Sequence, residues 1–408
     1  MPNARPSIFT MSLLVTGNLL GAGILALPIN LGPAGMLPSV AGIALIWALM
    51  LKSSLILADQ DDLTEGETGG LPTFFGKKLG SFAKWAAVAA DLVVLYGVLT
   101  AYLTGVSSIV TNLFKLPLPN WAVCLAYFVV VLCLVSVGAA LLRRCNALIL
   151  IAMGGCFVIL IAMILPHVEP VRAKPMQWGF LPAAMPVVLT AFLYHNLIPT
   201  VCRMFEGDRK AVHKSLWIGS SIGLVMNLVW TVAVFCALPF YSPKAYSILN
   251  AYDMNLPATV PLTGLLDSGF FMSVGLVFAI LAMTAAFMAN GAALVDFLKD
   301  IGSSFSWGRN GWVIRAVAFL PPLLVSIFYP SVFLTAMNVV GGFGVCIIFG
   351  ILPAILLIRQ SRGKTGALVT GIVMLLLFGA ILVSETMQET GLSSIKPDVE
   401  YWYKHSAD

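Results

Sequence analysis

Charge is what this sequence has least of. Asp, Glu, Lys and Arg make up 10% of its 408 residues, against ~25% in a soluble domain, and histidine adds four more ionisable groups. So few charges cannot coat a water-facing surface of this size. With 59% apolar residues and a mean hydropathy of +0.96, most of the outside must face lipid, which excludes an ordinary soluble fold. The seven cysteines (Cys124, Cys133, Cys145, Cys156, Cys202, Cys236, Cys346) form no CxxC and lie in or beside apolar segments. They read as small core residues, not as redox pairs, disulfides or metal ligands. HExxH and GxxxxGK[ST] are both missing, so zinc hydrolysis and ATP-driven transport find no support. The net charge of +5 comes without a basic run interleaved with aromatics, and no nucleic-acid partner is expected. Gly219-Ser220-Ser221-Ile222-Gly223 spells GxSxG, but inside an apolar helix it reads as small-residue packing. No cofactor is expected.

What is there is a succession of apolar runs. A hydrocarbon core of ~30 Å needs about 20 helical residues, and eleven stretches qualify: 8–30, 35–59, 84–113, 119–142, 145–165, 179–205, 212–240, 267–299, 311–328, 331–358 and 365–385. Breaker clusters at 31–35, 115–120, 165–175 and 328–331 separate them. The short linkers predict one compact all-α bundle. The first run continues with no cleavage-site pattern and is expected to stay as a span. Lys and Arg set the orientation. With the N-terminus inside, the cytoplasmic segments hold 16 of the 23: Arg5, Lys77, Lys78, Lys84, Arg143, Arg144, Arg203, Arg209, Lys210, Lys214, Lys299, Arg309, Arg315, Arg359, Arg362 and Lys364. Six fall outside (Lys115, Arg172, Lys174, Lys244, Lys396, Lys404), Lys52 snorkels near the inner end of the second span, and the C-terminal tail ends outside.

Two spans carry residues that oppose a continuous helix. The first contains Gly21 and Gly23, each costing ~1 kcal/mol of helix propensity, and Pro28, which lacks an amide donor. Close packing through Gly17-xxx-Gly21 and a break lining a cavity both fit. The sixth contains Tyr194-His195-Asn196 followed by Pro199. A mid-span histidine either faces a cavity or is a hydrogen-bonded structural residue. The two interruptions lie at similar depth on oppositely directed spans, five apart, as in an inverted repeat. Half-helix N-termini suit a carboxylate and freed carbonyls suit an ammonium, so a zwitterionic amino acid matches both.

Four motifs then resemble the hydroxy/aromatic amino acid permeases, the tryptophan- and tyrosine-specific transporters of the amino acid–polyamine–organocation superfamily. They are GNLLGAGILALP (17–28), AFLYHNLIPTVCRMFEGDRKAVHKSLWIG (191–219), ALVDFLKD (293–300) and LPPLLVSIFYPSVFLTAM (320–337). The resemblance implies a leucine-transporter-type fold: inverted five-helix repeats over 1–166 and 176–358, discontinuous helices 1 and 6, an eleventh helix at 364–385 and an external tail at 386–408. It also implies proton-coupled import of an aromatic amino acid across a bacterial inner membrane. The sequence departs from the family at Asn196-Leu197, where Gly-Asn is usual, and at Ala285-Ala286, where paired serines are. The second departure weakens a sodium site and leaves Thr284 as the nearby hydroxyl.

The backbone amides of Gly21, Ala22 and Gly23 are the candidates for the substrate carboxylate, and the carbonyls from Phe192 to His195 for its ammonium. Asn18 can orient either group or tie helices together. Tyr194, Phe192, Tyr96 and Thr100 can wall an aromatic pocket or simply pack. Asn196 and Asn290 join the candidate set, Asn290 equally as helix glue. His195, with a reference pKa of ~6.5, and Asp91, a carboxylate inside the third span, are the proton-coupling candidates. Asp296 reads as a helical charge pair with Lys299, and Glu206, Asp208, Arg209 and Lys210 as a solvated inner gate or loop. The competing readings are sodium-coupled or exchange transport of another neutral amino acid, a channel, and a membrane-embedded enzyme using His195 with a serine.

Overall fold

The computed structural model describes residues 7–63, 70–114, 118–137, 139–242, 246–302 and 310–406, without the side chains of 114, 136–147 and 406. Arg5, Lys115, Lys244 and Arg309 lie outside the described residues, as do the side chains of Arg143, Arg144 and Cys145. The described chain is helical throughout, and its only β feature is an isolated bridge between Gly35 and Met176. With no water to satisfy backbone groups in a bilayer, helices are what an apolar chain can use.

The elements follow the apolar runs. They are α1 (Ile8–Leu19), α2 (Ala22–Leu31), α3 (Met36–Ala58), α4 (Gly70–Leu79), α5 (Ser81–Phe114), α6 (Asn120–Val137), α7 (Ala139–Ile164), α8 (Leu181–Ala191), α9 (Ile198–Met204) and α10 (Arg209–Ala237). After them come α11 (Ile248–Asp253), α12 (Thr259–Leu266), α13 (Gly269–Gly302), α14 (Gly311–Phe328), α15 (Phe333–Val339), a π-helical stretch (Val340–Ile351), α16 (Leu352–Gln360), α17 (Thr365–Glu389) and α18 (Val399–Ser406). Among the described residues nine helical segments are long and apolar enough to cross a membrane, ten with the bent pair α1–α2. The apolar part of α6, Asn120–Val135, is shorter than those.

Burial ranks these segments. The 178–204 segment (78% buried), the 333–360 segment (72%) and α5 (67%) form the centre, whereas α7 and α17 (22% each) lie on the rim. Rim side chains such as Leu148, Ile151, Val158 and Leu376 are exposed, as a lipid-facing surface requires. Close approaches knit the centre. A Cβ on Gly341, in the π-helical stretch, would stand 1.7 Å from the Pro186 carbonyl oxygen, so only glycine lets this segment lie on α8. The GxSxG glycines do what small residues do: a Cβ on Gly219 would meet the Ser12 carbonyl at 2.6 Å and one on Gly223 the Leu19 side chain at 2.5 Å.

One boundary is corrected and two further segments take definite form. Arg143 and Arg144 lie on a helical backbone, because α7 begins at Ala139 and not at 145. The stretch between α10 and α13 folds into the short helices α11 and α12, each using a polar or small-residue start. The tail packs back onto the bundle. Its α18 buries Trp402 completely, stacked on Phe240 with centroids 4.2 Å apart and planes 11° apart. The Trp402 indole N–H donates to the Pro33 carbonyl at 3.2 Å, and the Tyr401 hydroxyl bonds to both backbone groups of Met176.

Candidate functional site

The first break falls at Leu20–Gly21. α1 closes with the Leu20 amide donating to the Thr16 carbonyl at 3.2 Å, and Gly21 then turns the chain with φ −69° and ψ −147°. The axis of α2 departs by 50°. No side chain caps α2, so the first-turn amides at Ala22, Gly23 and beyond retain the donor capacity and positive dipole end that attract a carboxylate. Gly23 and Pro28 lie inside α2 and do not make the break. Gly23 acts by its lack of bulk: a Cβ there would stand 2.5 Å from the Ala191 Cα, at the end of α8. One half-helix start is thereby pressed against the other half-helix end.

The second break runs from Phe192 to Tyr194, between α8 and a single 3₁₀ turn at His195–Leu197 that leads into α9. Pro199 sits in the first turn of α9, where its missing N–H is not needed. The two breaks are tied directly. The Asn18 side-chain amide donates to the Leu193 carbonyl at 2.8 Å.

Beside this tie a polar group joins α13, α5 and the 3₁₀ turn. The Asn290 amide of α13 donates to the Ala286 carbonyl at 2.9 Å and to the Tyr102 hydroxyl of α5 at 3.4 Å, and its carbonyl accepts from the Asn196 amide at 3.4 Å. A Cβ on Gly21 would lie 3.3 Å from the Ala286 Cβ and 3.6 Å from the Tyr102 hydroxyl. Gly21, Tyr102, Asn196 and Asn290 therefore converge. Tyr102 is the residue that sequence reasoning passed over. It sits six positions after Tyr96 on α5 and so on a different face, and only the packing partners show which face points inward.

The other candidates sort by partner. The Tyr96 hydroxyl donates to the Val317 carbonyl at 2.8 Å and so faces α14, away from the breaks. Thr100 donates back to the Tyr96 carbonyl at 2.9 Å. The Thr284 hydroxyl meets the Tyr127 hydroxyl at 3.1 Å, on the α6 side of α13. Phe192 is fully buried at the end of α8, and the Tyr194 hydroxyl meets the Ser54 hydroxyl of α3 at 2.9 Å. His195 is sealed between the rings of Tyr194 and Phe349, each 4.8 Å from its own. Its Nε2 lies 3.1 Å from the Met50 carbonyl, which can only accept, so the hydrogen sits on Nε2; Nδ1 is buried without a partner among the described residues. His195 thus faces α3 and the π-helical stretch, not the polar group.

Asp91 takes a different position. It is 8% exposed and lines a cavity of about 250 Å³ shared with Asn196, Pro199, Arg203 and Asp296. A second cavity of about 410 Å³, bordered by Asn112, Tyr246, Thr263 and Asp267, lies at the other end of α5. Among the described residues no group of three His, Cys, Asp or Glu side chains is arranged to hold a metal ion.

Ion pairs close the end of the bundle that carries Arg203. Past the end of α3, Asp61 pairs with Arg209, Asp59 with His213 at 2.9 Å, and Asp62 with Lys78 of α4. The Lys78 ammonium holds the Asp62 carboxyl below the usual carboxylate range. Gln60 and Gln360 exchange amide hydrogen bonds at 3.3 and 2.9 Å. Asp208, read as part of a solvated loop, caps α10 by accepting from the Ala211 amide at 3.1 Å. Asp296 does pair with Lys299, at 3.1 Å.

Known proteins are similar to this chain over most of its length. A tyrosine-specific transport system of Haemophilus influenzae is 26% identical over 337 residues, covering 81% of this chain and 82% of its own. A tryptophan-specific transport protein of Pseudomonas aeruginosa is 26% identical over 402 residues, covering 93% and 94%. The fold is that of a manganese transporter from Eremococcus coleocola, solved with an aromatic bis-isothiourea compound, at a TM-score of 0.60 and 13% identity over 100% of this chain and 93% of that one. These relatives are transport proteins and not enzymes, in keeping with a multi-pass helical bundle that carries no catalytic motif. The family model for tryptophan/tyrosine permeases matches residues 4–386, and with nearly the whole length accounted for, this chain belongs to the tryptophan/tyrosine permease family.

Proposed function

We propose that the protein imports an aromatic amino acid such as tryptophan or tyrosine together with protons, by alternating access around the two breaks. The observation that carries this reading is the Asn18–Leu193 hydrogen bond, which holds an uncapped helix start and an unwound segment side by side at the polar group of Tyr102, Asn196 and Asn290. In this reading the amides of Gly21, Ala22 and Gly23 bind the carboxylate, carbonyls in the 192–195 segment bind the ammonium, and Asn196 and Asn290 orient it. Tyr102 then supplies the aromatic wall that Tyr96, turned to α14, does not.

The bundle is read as eleven spans, with α6 as the fourth. Residues 1–166 and 176–358 form two inverted repeats, the eleventh helix covers 364–385 and the tail follows from 386. The N-terminus is cytoplasmic, the C-terminus external, and the membrane the bacterial inner one, by the distribution of Lys and Arg. Asp91 is the preferred proton carrier because it borders a cavity, whereas His195 is enclosed by rings and already bonded to Met50. Protons are favoured over sodium because Ala285 and Ala286 offer no hydroxyl and Thr284 is bonded to Tyr127.

Proteoliposomes given a pH gradient or a sodium gradient separately, with labelled tryptophan, tyrosine, phenylalanine, serine and leucine, test the reading. Saturable aromatic uptake driven by the pH gradient is expected. Uptake driven only by sodium would replace the coupling ion, and no uptake of any amino acid would reduce the family likeness to one of fold.

A further inference from the structure

The cavity beside Asp91 has a composition that the central site leaves unused. Three acidic residues line it, Asp91, Asp296 and Asp300, together with Arg203. They are not equivalent. Asp296 is taken by Lys299 at 3.1 Å, and Asp300 has an interaction of its own. Asp91 is more than nine-tenths buried and has no partner among the described residues. A buried carboxylate without a partner is costly unless it is protonated or meets a cation. A ligand that brings an ammonium to Asp91 removes that cost, and one that also brings a carboxylate finds Arg203 on the same wall. Leu95 and Phe297 supply an apolar side for the rest of the molecule.

We infer that this cavity is a second amino-acid station, in which Asp91 takes the ammonium and Arg203 the carboxylate of the substrate between the breaks and the Arg203 end of the bundle. The inference rests on the transport reading above. Asn196 is the step between the two places, since it bonds to Asn290 at 3.4 Å and also lines the cavity. At about 250 Å³ the cavity lies just under the ~300 Å³ at which ligand clefts usually begin, which limits it to one small solute. The station also gives Asp91 its part in coupling. The protonated carboxyl of the empty cavity yields its O–H proton to water at the mouth as the ammonium arrives, leaving a carboxylate–ammonium pair; no substrate bond changes. The charged groups facing this exchange are Arg203 from α9 and Asp296 and Asp300 from α13, while α4 contributes Gly70 and Leu71, which do not titrate.

Equilibrium binding of labelled L-tryptophan and L-tyrosine to the full chain in lipid nanodiscs tests the inference. Two molecules per chain are expected. Asp91→Asn and Arg203→Gln should each bring this to one, with the affinity of the remaining site within about twofold. Thr200→Trp, which fills the cavity without changing charge, should do the same and guards against a misfolded Asp91 variant. Tryptamine, which lacks the carboxylate that Arg203 would take, should displace the second molecule from wild type more weakly than L-tryptophan does. One molecule per chain in wild type, or two that all three variants retain, would overturn the station and leave the central site standing. No binding of either amino acid would overturn both.

Discussion

The side-chain amide of Asn18 donates to the backbone carbonyl of Leu193 across 2.8 Å, joining the residue before the first break to a residue inside the second. The bond spans 175 positions of sequence and fixes how the two half-helix ends face each other. Replacing Asn18 by Ala leaves the Leu193 carbonyl without this donor, in a protein interior where the loss costs ~1–3 kcal/mol. Asn18→Ala should lower the melting temperature in detergent and abolish uptake. Unchanged uptake would mean that the breaks do not need each other.

Gly21 and Gly23 should respond differently to the same change. Alanine at Gly23 drives a methyl to 2.5 Å from the Ala191 Cα, and such overpacking costs ~1–3 kcal/mol. At Gly21 the contacts begin at 3.3 Å and φ is negative, so the fold should tolerate alanine while the space beside Tyr102 and Asn290 shrinks. Gly23→Ala is expected to lose stability. Gly21→Ala is expected to keep it and lose substrate binding, and thermal unfolding with and without tryptophan separates the two.

The two titratable candidates are distinguishable by pH. His195→Gln retains a donor for the Met50 carbonyl, so uptake should keep its dependence on the pH gradient even if the rate falls. Asp91→Asn should abolish the dependence while leaving exchange of internal for external substrate. The reverse pattern would move the proton to His195.

Trp402 should anchor the tail. It is fully buried, stacked on Phe240 and hydrogen-bonded to the Pro33 carbonyl, and truncating such a side chain to Ala costs ~3–5 kcal/mol. Trp402→Ala should release α18 to protease while the membrane-embedded part stays intact. Equal protection of the tail in wild type and variant would refute the anchor.

Acid should loosen α4. Because Lys78 lowers the Asp62 carboxyl in the folded chain, the pair's contribution is present above the unfolded value of ~3.9 and is lost as pH falls through the lower folded value. The opening of α4, read from amide exchange corrected for its intrinsic pH dependence, should be flat from about pH 7 to 5 and rise below about pH 4. Lys78→Gln should remove that rise.

Hydropathy alone determined the helical, membrane-spanning character and most of the helix positions, because a ~30 Å hydrocarbon layer imposes a length and a composition that can be counted. Glycine and proline placement located the first interrupted span, and a mid-span His195-Asn196 pair followed by Pro199 located the second, since each opposes a continuous apolar helix. The motifs were specific enough to reach the family. What sequence does not decide is which side of a helix a residue occupies in a chain apolar all round: it singles out Tyr96 and passes over Tyr102, and offers Thr284 only as a hydroxyl near a weakened sodium site, because in such a helix no polar face marks the inside. It also did not decide whether Gly23 makes a break or a contact, since both need only the absence of a side chain. The tertiary structure settled these points through partners far apart in the chain: Val317 for Tyr96, Asn290 for Tyr102, Tyr127 for Thr284, Ala191 for Gly23 and Phe240 for Trp402. Hydrophobic burial is non-directional and sets which segments enter the bilayer, whereas directional hydrogen bonds and backbone contacts between distant segments set what each residue faces.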